Sequence, residues 1–449
     1  MKNIHSILLI IMIYLITGCT SAPPTPETAL EHYLAQKDKS FEWHVFEEFQ
    51  SGSATAFNIL LTSQQWRDYT WMHQLTVIVP QELKYDEALL FITGGSNKNG
   101  KPNLKKHDDD AIQMMTQIAT QNNAVVAVLY QVPNQPLFGD LTEDEIISYT
   151  LHQYREDKDL TWPLLFPMVK SAVRAVDAVQ AFAKSALEHN IEQFVVSGAS
   201  KRGWTSWLAG ASDSRVAAIA PMVIDVLNMP VQMDYQIKVW QDYSPQIEDY
   251  VKLEIPQDVS TPEGEELVTM IDPYSYREEL TMPKMIFIGA NDEYWPVDAI
   301  KHYFDEIPGE NYIHYTPNAG HGLDGGEEAL KTLSAFFAEV LQDEAHPVCA
   351  WGIAEQDTKI LLSVDADDML LQKALLWSAA SDDRDFRDAV WSSEQIAETN
   401  APEVQTTVSY PNDGYKAFYV DLVYAHPNGG EYAKSTRMFV ADSQQLYLK

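Results

Sequence analysis

Cysteine is nearly absent, with two residues in a chain of 449. Two thiols cannot hold a disulfide scaffold, so the chain must fold around an apolar core. Positive charge is scarce too: 31 Lys and Arg stand against 65 Asp and Glu, a formal charge of −34. A field of that sign repels phosphate backbones and anionic membrane faces, which removes nucleic acid from the candidate partners. Long apolar runs are missing. Residues 7–16 form a run of ten, which as a helix rises about 15 Å, roughly half of a bilayer core. What is present suits a folded chain: 45% hydrophobic, 21% charged and 11% aromatic residues, which excludes disorder as the main state. The length predicts two or three domains.

The apolar run follows Lys2 and ends in Ile16-Thr17-Gly18-Cys19. Its length and flanks are those of a signal-peptide core. A cysteine directly after a small glycine resembles the lipobox of bacterial lipoproteins, where the thiol is acylated and becomes the new N-terminus. The expectation is an exported lipoprotein with a signal peptide over 1–19, lipid on Cys19, and membrane contact through that anchor alone. Residues 20–26 are polar and proline-rich, and a tether is expected over 20–40. Thr20 rather than Asp follows the cysteine, which in Gram-negative lipoproteins points to the outer membrane. With Cys19 acylated, Cys349 has no intramolecular partner and is expected as a small buried hydrophobe.

From 41 to 345, strand-like and helix-like segments alternate, which predicts an α/β domain with a doubly wound, mostly parallel sheet. Residues 56–61 and 74–79 read as an antiparallel start. Residues 88–93 and 124–130 are continuously apolar, as parallel strands buried on both faces require. A helix is expected over 107–122, opened by Asp108, Asp109 and Asp110, whose charges suit a helix N-terminus better than a metal. Residues 168–190 carry apolar side chains at helical spacing. Further strands are expected at 193–197, 216–223, 284–289 and 312–315, and a last helix at 327–341. Two long aromatic excursions, 131–163 and 225–282, interrupt the alternation, and the second is expected to cap the sheet. Beyond 345 the pattern turns to strands. Phe418, Val420, Leu422 and Tyr424 alternate with their neighbours, predicting a small antiparallel β-sandwich over 346–449. Asp365, Asp367 and Asp368 imitate a calcium loop without its later Gly and Glu, so a solvated loop is expected there. No metal or cofactor is expected.

Chemistry concentrates at Val195-Val196-Ser197-Gly198-Ala199-Ser200-Lys201-Arg202-Gly203-Trp204. A strand runs through small residues into a helix, the setting of a nucleophile elbow with Ser200 exposed on the turn. The second glycine of G-x-S-x-G is displaced, since Arg202 holds its place and Gly203 comes one later. Asp292 follows the strand at 284–289, and His321, between Gly320 and Gly322, follows the last strand. Serine, acid, histidine is the chain order this type of sheet predicts. His321 would take the Ser200 proton while Asp292 holds the imidazole. Glu293 is the neighbouring acid with which Asp292 is most easily confused. The oxyanion donors are expected to be the N–H of Lys201 and that of Gly95, with Gly94 close behind.

Gly-Ala-Ser-Lys-Arg-Gly-Trp-Thr (198–205), Ile-Thr-Gly-Gly-Ser (92–96), Gly-Ala-Asn-Asp-Glu-Tyr-Trp-Pro (289–296) and Asn-Ala-Gly-His (318–321) resemble motifs of the PhoPQ-activated pathogenicity-related proteins, a branch of the α/β-hydrolase superfamily. Leu-Leu-Trp-Ser-Ala (375–379) and Asp-Phe-Arg (385–387) extend the similarity to nearly the whole mature chain. The resemblance implies the fold and a Ser200–His321–Asp292 triad; it names no reaction. The expected function is a cell-envelope serine hydrolase acting on an ester or a peptide. Cationic peptides are one candidate substrate, because the family is linked to resistance against them and the charge of −34 attracts them. The competing expectation is a tethered binder of cationic peptides on a hydrolase scaffold, without turnover.

Overall fold

The two continuous apolar runs become adjacent strands, and each needs cover on both faces. The protein is described here by a computed structural model over residues 23–343, 345–367, 369–399 and 401–449; the expected signal peptide, Cys19 and Asp368 lie outside the described residues. The first strands are β1 (Glu42–Ser51), β2 (Ala54–Trp66), β3 (Tyr69–Pro80), β4 (Glu87–Ile92), β5 (Val125–Leu129), β6 (Gln193–Ala199), β7 (Val216–Met222), β8 (Lys284–Gly289) and β9 (Asn311–Thr316). They lie in one sheet in the order β1-β2-β3-β5-β4-β6-β7-β8-β9. β1 to β3 are antiparallel and β3 pairs antiparallel with β5, while β5 through β9 run parallel. The chain moves outward from β4 to β5 and then returns to β6 on the other side of β4. That reversal opens a crevice at the carboxyl ends of β4 and β6, where open α/β sheets bind ligands.

The main helices are α1 (Ala29–Ala35), α2 (Asp110–Asn122), α3 (Glu143–Asp157), α4 (Leu165–Phe182), α5 (Lys201–Ser212), α6 (Met229–Trp240), α7 (Pro262–Ile271) and α8 (Glu327–Gln342). Leu90 and Ile92 of β4 join one core with Val169 and Val176 of α4 and Leu208 of α5. Leu89 between them joins the opposite core with Ile112 of α2 and Phe336 of α8. Period-two side chains thus meet helices on both sides, which is the doubly wound arrangement. α2 starts where Asp109 accepts a hydrogen bond from the Ala111 N–H at 3.2 Å, so the acidic triplet serves the helix start. The helix expected over 168–190 ends at Phe182 and passes into a π turn, Ala183–Leu187.

Two boundaries differ from expectation. Within the segment assigned to a tether, α1 buries Ala29, Leu30 and Tyr33, and Tyr33 Oη donates to Gln64 Oε1 at 2.7 Å. At the other end, the strands after 345 are antiparallel, as the alternation predicts. They are β10 (Cys349–Gln356), β11 (Lys359–Ala366), β12 (Leu371–Ser381), β13 (Ser392–Glu398), β14 (Glu403–Ser409), β15 (Tyr415–Ala425), β16 (Glu431–Ser435) and β17 (Phe439–Asp442). β10, β11 and β14 form a separate sheet. β16, β15, β12 and β13 instead continue the central sheet, joined where Ser435 pairs with Ile313 of β9. Phe418, Val420, Leu422 and Tyr424 pack on the small sheet, while Ala417 and Tyr419 belong to the main core. β15 is buried on both faces because it is a continuation of the central sheet as well as one wall of a sandwich. Cys349, expected to be buried, opens β10 only partly covered.

Candidate active site

Three loops at the carboxyl ends of β6, β8 and β9 converge. Ser200 sits between β6 and α5 with φ 60° and ψ −127°, a conformation that costs a non-glycine residue on the order of 1–3 kcal/mol and persists only when its surroundings impose it. They do. The Ser200 N–H donates to Met222 O of β7 at 2.8 Å. A Cβ on Gly198 would stand 2.8 Å from Ile92 O, and one on Gly203 would stand 2.8 Å from Met222 O and 2.9 Å from Gly198 O. Both glycines therefore let α5 cross close to the strands, and the displaced second glycine of the motif is the residue that allows the crossing.

Asp292 is buried in the turn after β8, where its Oδ1 accepts from the Tyr294 N–H at 2.9 Å. His321 Nδ1 lies 2.9 Å from Asp292 Oδ2 and 3.1 Å from Oδ1. A carboxylate only accepts, so this pairing puts the proton on Nδ1 and leaves the Nε2 lone pair free. Nε2 is buried and makes no hydrogen bond, to Ser200 or to any other group. The Glu293 carboxylate instead accepts the His321 backbone N–H at 2.9 Å. The Tyr294 ring lies against His321, centroids 4.1 Å apart, and burial, then the nearby Asp144 charge, pushes its phenol up to about 12.

Ser200, Lys201, Tyr294 and His321 share one cavity, most of whose other walls come from the 225–282 excursion. That excursion lies over the Ser200 end of the sheet. Hydrogen bonds fasten it there: Trp204 Nε1 donates to Ile271 O at 2.6 Å, and Ser244 Oγ to Glu293 O at 2.6 Å. Of the expected oxyanion donors, Lys201 lines the cavity at the first turn of α5, where helix N–H groups lack intrahelical partners. Gly94 and Gly95 do not line it. Gly94 stands behind Arg202, whose Nη2 is 2.6 Å from where its Cβ would be, and Gly95 stands against Gln131, whose Nε2 is 2.9 Å from where its Cβ would be.

A polar clamp that the motifs did not predict ties these parts together. Glu143, at the start of α3, pairs with Lys201 at 3.0 Å and Arg202 at 2.7 Å. Burial alone would raise its carboxyl, yet the Arg202 and Lys201 cations hold it at about 2. Asp144 pairs with Lys201 at 3.1 Å and accepts from Tyr250 Oη at 2.9 Å. Gln135 Oε1 accepts the Glu143 N–H at 2.8 Å while its Nε2 donates to Gly95 O at 3.0 Å. A second brace comes from the far end of the chain. Asn291 Nδ2 donates to Phe386 O and Ala389 O, and Asn318 exchanges hydrogen bonds with the Trp391 backbone at 2.8 and 3.1 Å. The sequence offered one signal for these residues: both asparagines stand inside the motifs that carry Asp292 and His321.

The profile of the PhoPQ-activated pathogenicity-related protein family matches residues 30–387. The chain belongs to that family. Autocrine proliferation repressor protein A of Dictyostelium discoideum is 28% identical over 453 residues, covering 94% of this chain and 89% of that protein. Among solved structures, acetyl xylan esterase 1 from Thermoanaerobacterium sp. JW/SL YS485 is 17% identical with a TM-score of 0.47, over 67% of this chain and 90% of its own. An acetyl xylan esterase from Paenibacillus sp. R4 is 14% identical with a TM-score of 0.48, over 70% and 93%. The matched region takes in all three residues of the expected triad and ends in the segment that braces Asn291.

Proposed function

We propose that this family member is a serine hydrolase of the cell envelope, cleaving an ester or a peptide amide through Ser200, His321 and Asp292. The observation that carries the proposal is the Asp292-oriented imidazole, with Nε2 buried and unpartnered in the cavity that holds Ser200. The strand order, with the serine after β6 and its partners after β8 and β9, is that of an α/β-hydrolase sheet extended by N-terminal antiparallel strands and a C-terminal sheet.

Ser200 Oγ bonds to the substrate carbonyl carbon as His321 Nε2 accepts its proton, and Asp292 stabilises the imidazolium. The carbonyl oxygen becomes an oxyanion held by the Lys201 N–H, with Gly95, or Gly94, as the second donor after a small shift of the loop. The bond to the leaving oxygen or nitrogen then breaks, and that atom receives the proton from Nε2. Water adds to the acyl-Ser200 carbon and gives its proton to Nε2; the carbon–Oγ bond breaks and Ser200 recovers its proton as the acid leaves. The 225–282 segment acts as a cap that limits substrate size. Cys19 carries the lipid that keeps the enzyme at the membrane, and each buried acyl methylene contributes about 0.8 kcal/mol to that anchoring.

Labelling with a fluorophosphonate tests the reading, because an unactivated serine scarcely reacts. Wild-type protein labels at Ser200, Ser200→Ala does not, and His321→Ala labels far more slowly. Turnover of a good substrate that survives Ser200→Ala would sink the triad. Cationic-peptide binding with no labelling would favour the tethered-binder reading instead.

A further inference from the structure

The surface of this protein is strongly acidic, yet the cavity beside Ser200 is not. Met229, Met233, Ile247, Ile255, Val259 and Ile271 reach it from the cap segment, and Trp204 and Ile224 from the sheet side. His321 aside, its lining contains one acid and one base, Asp144 and Lys201. These are paired with each other at 3.1 Å. Lys201 also holds Glu143, and Asp144 also accepts from Tyr250. Neither has a charge to spare for a substrate. An ionised group entering here would lose its hydration with no partner in return, which is costly in an apolar enclosure. The long-range field gathers cations at the surface, and the cavity refuses them.

The size of the cavity adds a second limit, since a volume of about 80 Å³ has room for a short chain and not for a polymer. We infer that the cavity receives the acyl half of the substrate as an uncharged aliphatic group longer than acetyl, set against Ser200 by the cap segment. This rests on the hydrolase reading above and names the substrate class of that same site. A carboxylic ester of a medium-chain acid and the apolar aminoacyl residue of an amide offer the same chemistry, and the substrates below separate them.

The purified full chain is assayed, with Ser200→Ala as the blank, against p-nitrophenyl esters from acetyl to octanoyl, the hemisuccinyl ester, and the p-nitroanilides of N-acetyl-leucine and N-acetyl-arginine. Moving a methylene from water into such a lining raises kcat/KM about fourfold, so the value climbs from acetyl to hexanoyl or octanoyl. The hemisuccinyl ester and the arginine anilide lag behind their apolar counterparts. A leucine anilide that outruns the esters keeps the apolar cavity and assigns the amide source. Met233→Trp, which fills the cavity, lowers the octanoyl-to-acetyl ratio at least tenfold. A ratio is insensitive to a general loss of activity, and Val259→Phe serves as the second variant if Met233→Trp does not fold. A flat or falling chain-length profile, or faster turnover of the charged substrates, in a protein whose Ser200 labels with fluorophosphonate overturns this inference alone. Absence of both labelling and turnover overturns it together with the hydrolase reading.

Discussion

Asn291 Nδ2 donates to the carbonyl oxygen of Phe386 at 2.9 Å, across 95 residues of sequence, and shares its second hydrogen with Ala389 O at 2.8 Å. Asn291 precedes the buried acid of the site, so the backbone after β12 determines where the Asp292 turn lies. Asn318 and Trp391 do the same for the histidine loop.

Removing either amide should therefore weaken catalysis more than substrate binding. Asn291→Ala and Asn318→Ala are expected to lower kcat roughly 10- to 100-fold, the scale of a displaced catalytic group, with KM within about twofold. Steady-state kinetics on a cleaved ester and the rate of fluorophosphonate labelling check this. A change confined to KM would place the asparagines in substrate binding instead.

The two adjacent acids should separate sharply. Asp292→Asn removes the acceptor that holds the imidazole tautomer and should reduce kcat on the order of 10³- to 10⁴-fold. Glu293→Gln keeps an oxygen able to accept the His321 N–H and should stay near wild type, whereas Glu293→Ala should lose activity about tenfold. Parallel kcat measurements decide it, and a larger loss in Glu293→Gln than in Asp292→Asn would reverse the assignment.

Asp225, buried after β7, predicts a pH dependence of stability. Burial, and then the charges of Asp292 and Asp298, push its carboxyl up to about 7, against about 3.9 in an unfolded chain. Between those values the folded state holds a proton that the unfolded state has lost, so stability falls as pH rises from about 4 to 7 and stays lower above. Asp225→Asn cannot ionise and is free of that loss. Melting temperatures should match most closely near pH 4, with the variant ahead by several degrees at pH 8, roughly the scale expected for such a linkage. A gap that narrows as pH rises would contradict the assignment.

Cys19→Ser should abolish fatty-acid incorporation into the precursor and release the protein from the membrane fraction. Metabolic labelling with a fatty-acid analogue checks the first, and unchanged labelling in the variant would defeat the anchor.

Much of the central sheet was legible because burial on both faces writes itself into sequence: a run such as 124–130 has few other ways to fold. Ser200, Asp292 and His321 were legible as candidates because each stands just beyond the end of a strand and the three follow one another in the expected order. The clamp of Glu143, Lys201 and Arg202 was hidden, since its ion pairs join a loop insertion to a helix with no periodic signature, 59 residues apart for Arg202. Gly95 was read from a motif, and the structure sets it against Gln131, away from the cavity lining. The independent sandwich was read from alternation in β15, but alternation describes one face. The other, with Ala417 and Tyr419, is covered by the main core, and only the Ser435–Ile313 pairing reveals the continuation of the sheet.

That pairing has a consequence for the order in which the molecule is made. β9 would otherwise end the parallel strands as an open edge able to recruit another chain; here the edge is covered by β16, which is synthesised long after it. The brackets on Asn291 and Asn318 also come from residues made long after both loops. A nascent or truncated chain that stops before β16 can hold all three candidate residues and still lack the walls that set them.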